Sequence, residues 1–349
     1  MQARIFQSVV KFCKLLFLTL ICSIVFQLLP SYLPTDATNA FADLCANKNQ
    51  QSLETQHTLD SLLEVAKTSN CQVASRYFDE MTALNLQGHD IIDLSPLTYF
   101  QQLASLTLSD NKIQNLKPLA SLKNLKALDL SNNFVSHLEP IAGLNNLEVL
   151  WLWNNKIQNL RGIESLKKLE KLYIPFNQIS DLSPVSGLNN LNKLLADDNK
   201  IKDLTPLMGL SKISGLSLSN NQINNIKPLE NLENLTILIL QNNQIAKLES
   251  LGNLTGLKLL MLSGNRITDI NPLEKLRKLE ALDLARNGIK QLEPLSYLID
   301  LKSLFLSDNR IEDPQPLTFL AKLTDLQLKN NPLSNSSWCP VKPDSICKF

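Results

Sequence analysis

The chain has 349 residues, 44% of them apolar and 6% aromatic, with 34 basic against 33 acidic side chains for a net charge of +1. That balance supplies no polybasic or polyacidic surface, so neither nucleic acid nor anionic lipid is expected as the main partner. Division by ordinary domain size would give two or three compact units, but that arithmetic assumes a sequence without internal period, and this one is periodic.

Residues 1–42 read as an export signal. Arg4, Lys11 and Lys14 precede an apolar run from Leu15 to Leu29, and Ala40-Phe41-Ala42 offers a small-x-small cleavage site, so a cut after Ala42 is expected. The competing reading is an uncleaved membrane anchor. Against it, the apolar run falls short of the roughly 18 to 20 residues a span needs and contains Gln27. Cys22 follows bulky Leu20 and Ile21, where a lipid-attachment signal would want small residues. Removing the segment takes away three basic side chains and Asp36, which changes the net charge from +1 to −1.

Residues 43–80 are expected to form a helical cap. Leu59, Leu62, Leu63 and Val65 recur at helical spacing in Thr58–Lys67, as do Val73 and Phe78 in Gln72–Met81.

From Met81 to Lys322 the chain repeats every 22 residues without insertion or deletion, giving eleven units and a truncated twelfth, so that 81–333 forms one array. The unit Leu103–Asn124 shows the pattern, with apolar residues at repeat positions 1, 4, 6, 11, 14, 17 and 20. Position 4 is leucine in all twelve units. Position 9 is asparagine in eleven: Asn111, Asn133, Asn155, Asn177, Asn199, Asn221, Asn243, Asn265, Asn287, Asn309 and Asn331, with His89 in the first. Alternation at positions 4 and 6 puts both side chains on one side of a short strand. One coil cannot bury that face alone, but stacked coils close a continuous core under a parallel sheet. The position-9 amide sits where the strand turns, and can satisfy unpaired backbone groups of adjacent coils. On the far side, Ser95-Pro96, Ser183-Pro184 and Thr205-Pro206 place a hydroxyl before proline, which predicts short helical turns with that hydroxyl as cap.

The unit LxxLxLxxNxIxxLxPLxxLxx resembles the 22-residue leucine-rich repeats of the bacterial internalins and, more distantly, of the regulatory subunit of type-1 protein phosphatase. The likeness covers about 250 residues. It implies an α/β repeat solenoid, a right-handed horseshoe or arc with a parallel sheet on its concave face, short 3-10 or helical turns on its convex face and a helical amino-terminal cap. It further implies an exported protein that binds a protein ligand on the concave face. The immunoglobulin-like module and wall anchor that often follow internalin repeats are not expected in the 18 residues after Asn331, so a role in invasion is not carried over. The phosphatase regulator acts inside cells, which the export signal opposes.

Residues 334–349 are expected to be a carboxy-terminal cap, with Trp338 over the last coil. Beyond the signal the cysteines are Cys45, Cys71, Cys339 and Cys347, a pair at each end of the array. Twelve strands about 4.8 Å apart separate the ends by roughly 50 Å, far beyond the roughly 7 Å a disulfide tolerates between Cα atoms. The expected bridges are therefore Cys45–Cys71 and Cys339–Cys347, which suits an extracytoplasmic compartment, secreted, periplasmic or at the cell surface. Four free thiols in a cytosolic protein is the other reading.

No catalytic residue, metal site or cofactor is expected. His57, His89 and His137 are scattered over the cap, the first ladder position and the convex turn, and neither a Cys-x-x-Cys pair, an HExxH helix, a phosphate-binding glycine loop nor a GxSxG elbow occurs. Asp129, Asp197, Asp198, Asp283 and Asp308 reach the concave side, where solvated surface charge is expected rather than a paired-carboxylate site.

Position 5 lies between the two core leucines and so scans the concave face: Asn85, Thr107, Asp129, Trp151, Tyr173, Leu195, Ser217, Ile239, Met261, Asp283, Phe305, Gln327. Trp151 and Tyr173, with Phe134, Trp153, Phe176 and Leu195 nearby, compose an aromatic patch of the size that marks partner sites. Ile237, Ile239, Leu259 and Met261 form a second, aliphatic cluster, and Phe305 stands further on. Packing of these side chains on one another as a cross-strand ladder is the structural alternative. The expected function is a monomeric protein-binding module. A glycan or cell-wall binder using the same aromatic faces, with Asp197, Asp198 and Asn154 meeting hydroxyls, is the alternative.

Overall fold

The computed structural model describes residues 36–334 and 338–349; the expected export signal, as far as residue 35 and including Cys22, lies outside them. Thr38–Phe349 is one compact unit. Three helices come first, α1 (Asp36–Ala46), α2 (Leu53–Val65) and α3 (Cys71–Asp79). Among the described residues, thirteen parallel strands then form a single sheet in chain order, from β1 (Ala83–Asn85) to β12 (Asp325–Gln327) and β13 (Cys347–Lys348).

The 22-residue period sets the register. Leu84 stands opposite Leu106 at one end and Leu304 opposite Leu326 at the other, so every position-4 leucine lies on its counterpart in the next coil. These leucines and their position-6 neighbours are buried, and they join the isoleucines and leucines of the turns in one uninterrupted core. At about 1.5–3 kcal/mol for each fully buried aliphatic side chain, stacking supplies what a lone coil lacks.

The asparagine column closes each coil onto its neighbour. Asn221 donates from Nδ2 to Ala196 O at 3.0 Å in the preceding coil and to Leu218 O at 3.1 Å in its own, and its Oδ1 accepts from Ile201 N at 2.9 Å. Asn111 and Asn309 repeat the pattern. His89 has no earlier coil to bind, and helix α2 takes that place: Thr58 Oγ1 donates to Asp93 O at 2.7 Å and His57 Nε2 meets His89 O at 2.6 Å.

The convex side carries a short 3-10 turn in each repeat, such as Ser183–Val185 and Thr205–Leu207. The hydroxyls before proline do not cap them. An Asp or Asn two residues earlier does: Asp181 Oδ1 accepts both Ser183 N at 2.8 Å and Ser183 Oγ at 2.6 Å, and Asp203 does the same for Thr205. A carboxylate accepts both bonds at once, which is why it displaces the hydroxyl as the capping group. These bonds hold the Asp181 and Asp203 carboxyls below the ordinary carboxylate range.

The amino-terminal cap is longer than the sequence pattern suggests. Helix α2 starts at Leu53 rather than Thr58 because Ser52 Oγ caps Thr55 N, and Asn70 Oδ1 caps α3 through Gln72 N and Val73 N. Val73 faces solvent; the buried side of α3 is Ala74, Ser75 and Phe78. Helix α1 runs across the Ala42–Asp43 bond, with Phe41 and Ala42 in the core. A disulfide joins Cys45 to Cys71, with Cα atoms 5.7 Å apart, tying α1 to α3. A second joins Cys339 to Cys347, 5.8 Å apart. It anchors β13, which pairs with β12 through Leu328 N to Lys348 O at 2.8 Å and so covers the last strand's free edge. Nothing in the 22-residue pattern announces this strand.

Candidate binding face

The open face of the sheet is built from the residues between core leucines. In β4 (Val149–Trp151), β5 (Lys171–Tyr173) and β6 (Lys193–Leu195), the register puts Trp151 opposite Tyr173 and Tyr173 opposite Leu195. The Trp151 and Tyr173 rings stack with centroids 5.8 Å apart and planes inclined by 23°. Both are half-buried, and the indole Nε1 of Trp151 is buried without a hydrogen-bond partner. Cross-strand packing is therefore part of the role of this pair.

The other aromatic residues behave differently. Phe134, Trp153 and Phe176 are 47%, 43% and 42% exposed, and among the described residues no ring contact joins them to the stack or to each other. Their apolar surface is not spent on intramolecular aromatic packing. The aliphatic cluster lies on β8 (Ile237–Ile239) and β9 (Leu259–Met261), where Ile237 faces Leu259 and Ile239 faces Met261. Only Ile237 of the four is strongly exposed; the others are half-buried, as is Phe305 on β11 (Ser303–Phe305).

A backbone feature that the repeat pattern did not disclose sharpens this picture. Position 8, just before the asparagine column, has positive φ in all twelve coils, from Gly88 at 71° through Asn132 at 53° to Asn330 at 59°. Glycine, asparagine and aspartate tolerate this left-handed conformation, and ten of the twelve residues there are of those types. They also form a second polar ladder on the surface, with Asn132 donating to Asp110 at 2.6 Å, Asn154 to Asn132 at 2.7 Å and Asn242 to Asn220 at 2.8 Å. The two exceptions are Phe176 and Arg286. Arg286 reaches across the intervening Gly264 to donate to Asn242 Oδ1 at 3.1 Å, two coils away. A Cβ at Gly264 would sit 2.3 Å from that same oxygen, so the glycine keeps the path open. Phe176 interrupts the ladder and has no such bond to justify the strained backbone. The composition of this column, Asn, Asp or Gly in ten units, was the signal that would have revealed it from sequence.

Of the acidic residues of this face, Asp308 is exposed, as solvated charge should be, but Asp129, Asp197, Asp198 and Asp283 are partly buried. Asp197 accepts from Ser217 Oγ at 2.6 Å and Ser219 N at 2.7 Å, Asp129 from Ser131 N at 2.9 Å, and Asp283 from Ala285 N at 3.0 Å and Gln241 Nε2 at 2.8 Å. Asp308 accepts from Asn330 at 2.6 Å. Asp129, Asp197 and Asp283 are internal acceptors at the strand ends, where a side chain that only accepts satisfies donors the sheet leaves over. Burial raises the Asp197 and Asp129 carboxyls above their ordinary range, against the opposing pull of their serine hydrogen bonds. The folded chain thus holds the Asp197 proton more tightly than the unfolded chain, and ionisation removes stability as pH rises through the folded pKa. Asp197→Asn keeps an acceptor oxygen and cannot ionise. It is expected to melt no lower than the parent at pH 7 and to lose any advantage as pH falls towards about 4; thermal melts across pH test this, and a variant that melts well below the parent at pH 7 would show that the charge itself is needed.

Among the described residues no group of three His, Cys, Asp or Glu side chains is placed to hold a metal, and no helix is long and apolar enough to cross a membrane.

A family model described as leucine-rich repeats in two copies matches residues 101–145, 145–186, 167–207 and 255–297. No curated protein sequence matches the chain. Among solved structures, an internalin (InlF) from Listeria monocytogenes is similar at 26% identity and a TM-score of 0.70, over 79% of this chain and 89% of that one. Internalin C2 (InlC2) from the same organism is similar at 31% identity and a TM-score of 0.54, over 60% of this chain and 91% of that one. The functional domain of InlJ from Listeria monocytogenes shares the fold at 22% identity and a TM-score of 0.69, over 80% of this chain and 60% of that one. With its period, its asparagine column and its single parallel sheet, the chain is a leucine-rich-repeat protein that resembles the internalins.

Proposed function

We propose that the chain is an exported module that captures a protein partner on its concave face, with Trp153 and Phe176 as exposed anchors beside the Trp151–Tyr173 stack and with Phe134 and Leu195 at the patch margins. Proteins of this repeat type are in general protein-interaction modules, and the two disulfides suit an oxidising compartment. The observation that carries the reading is Phe176. It places a large apolar ring in solvent on a left-handed backbone where the other coils use Asn, Asp, Gly or a bonded Arg. Strain kept without an intramolecular return is a mark of functional sites, and aromatic residues dominate the energetics of protein interfaces.

Phe176→Asn tests it. Asparagine relieves the left-handed strain and can restore the surface ladder, so stability is expected to stay level or rise by about 1 kcal/mol. Partner capture is expected to weaken about tenfold or more, as for loss of an interface anchor. Cross-linking pull-down against envelope and surface fractions, followed by titration of the protein recovered, provides the readout. Unchanged capture by the stabilised variant would remove Phe176 from the site, and a glycan array that binds the parent while no protein is captured would shift the proposal to a sugar ligand.

A further inference from the structure

We infer that the export leader is removed ahead of Phe41, so that Phe41 and Ala42 stay in the mature chain; this rests on the reading of the first residues as a cleaved signal. The small-x-small pattern Ala40-Phe41-Ala42 points to the Ala42–Asp43 bond, but the fold gives those residues another task. Phe41 is 1% exposed and closes a three-ring cluster with Phe78 and Phe100, its centroid 5.7 Å from the first, edge-on, and 5.1 Å from the second. Phe78 and Phe100 are themselves 4.7 Å apart. Phe78 belongs to α3 and Phe100 to the turn of the first coil, so Phe41 lies where the cap meets the open end of the repeat stack. Ala42 is also buried, and Cys45, one turn on, is bound to Cys71.

A cut after Ala42 would leave only Asp43–Ala46 of α1 and strip the ring that covers Phe78 and Phe100, exposing the end of a solenoid core that has to be capped. The compact unit begins at Thr38, on the amino-terminal side of that bond. Two alternatives in the sequence spare the cluster. Thr38-Asn39-Ala40 places small residues at the third and first positions before the Ala40–Phe41 bond, and Thr35-Asp36-Ala37 does so before the Ala37–Thr38 bond. Ala40 is only partly buried, and the first alternative keeps the buried Phe41 and Ala42 in the chain. In either case a signal peptidase hydrolyses one amide while the segment is still extended: water adds across the bond, leaving a carboxylate on the alanine of the leader and a free amino group on the first mature residue.

The test is the intact mass and amino-terminal sequence of the full-length chain after expression and export through a secretory pathway. A mature chain beginning at Phe41 or Thr38 supports the inference. A chain beginning at Asp43 overturns it while leaving the signal reading intact, and a chain recovered uncut overturns that reading and the inference with it. As a second measurement, mature chains made to begin at Phe41 and at Asp43 are compared by thermal melting. The shorter chain is expected to melt at least about 5 °C lower, and equal melting temperatures would count against the role given to Phe41.

Discussion

Asn221→Ala is expected to destabilise the chain by about 1–3 kcal/mol, out of proportion to the few atoms removed. The amide is buried and joins two adjacent coils: it donates to Ala196 O in the preceding coil and Leu218 O in its own, and accepts from Ile201 N of the preceding one. Truncation leaves the buried N–H of Ile201 without a partner and takes one of two amide donors from Ala196 O and from Leu218 O, and the methyl group put in place recovers none of that cost. Asn234→Ala is the matched control. Its amide also bridges coils, donating to Ser211 O at 2.8 Å, but it is exposed, so water replaces the lost bond and less than about 1 kcal/mol is expected. Denaturant unfolding of the two variants against the parent separates them. Equal losses would mean that the column is decorative and that the leucines alone hold the coils together. The effect should also be local: amides in the coils on either side of Asn221 should lose hydrogen-exchange protection first, because each coil contacts only its neighbours.

Trp151→Ala together with Tyr173→Ala is expected to lower affinity for a captured protein partner by about 100-fold or more, the scale of losing two central aromatic anchors. The structure also attaches a stability cost to this pair. The rings stack at 5.8 Å and are half-buried, so removing both forfeits an aromatic pair worth about 0.5–1.5 kcal/mol together with part of their apolar burial. The double variant should therefore melt a few degrees lower while remaining folded, with the disulfides intact. Phe319→Ala, an exposed aromatic on the convex 3-10 turn Gln315–Phe319, controls for loss of an aromatic side chain as such and should leave affinity within about twofold. Folded double variant with unchanged capture would establish the stack as a cross-strand ladder and move the anchor role wholly to Trp153 and Phe176. Combining that result with Phe176→Asn, which should bind less without melting lower, distinguishes a binding defect from a folding defect.

The repeat made most of the architecture legible. A leucine at position 4 in every unit and an asparagine at position 9 in eleven state a strand, a turn and a stacking contact, because a fixed period leaves no freedom in which residue meets which. Trp151 opposite Tyr173 follows from counting 22 residues, and so does Tyr173 opposite Leu195. The two cysteine pairs, one at each end of the array, are joined within their own ends. Wherever the period held, local pattern and tertiary contact were the same fact.

Where the period stopped, or where a column had a meaning other than burial, only the folded chain decided. Phe41 and Ala42 read locally as a cleavage motif, and nothing within a few residues reveals that Phe41 meets Phe78 and Phe100, far along the chain. Cys347 and Lys348 carry no strand signal of their own and pair because β12 offers an open edge and a disulfide holds them there. The carboxylates at Asp129 and Asp197 looked like solvated charge, yet hydroxyls and amides of their own and the following coil enclose them. The twelve positive φ angles at position 8 turn Phe176 from one aromatic among several into the strained one. The repeat, its core and the register of the face were all readable from the order of residues, because they depend on spacing alone. The cap's closing ring, the last strand and the identity of the strained anchor emerge only in the folded chain, because they depend on which distant groups meet in space and on which side of the Ramachandran map the backbone must lie.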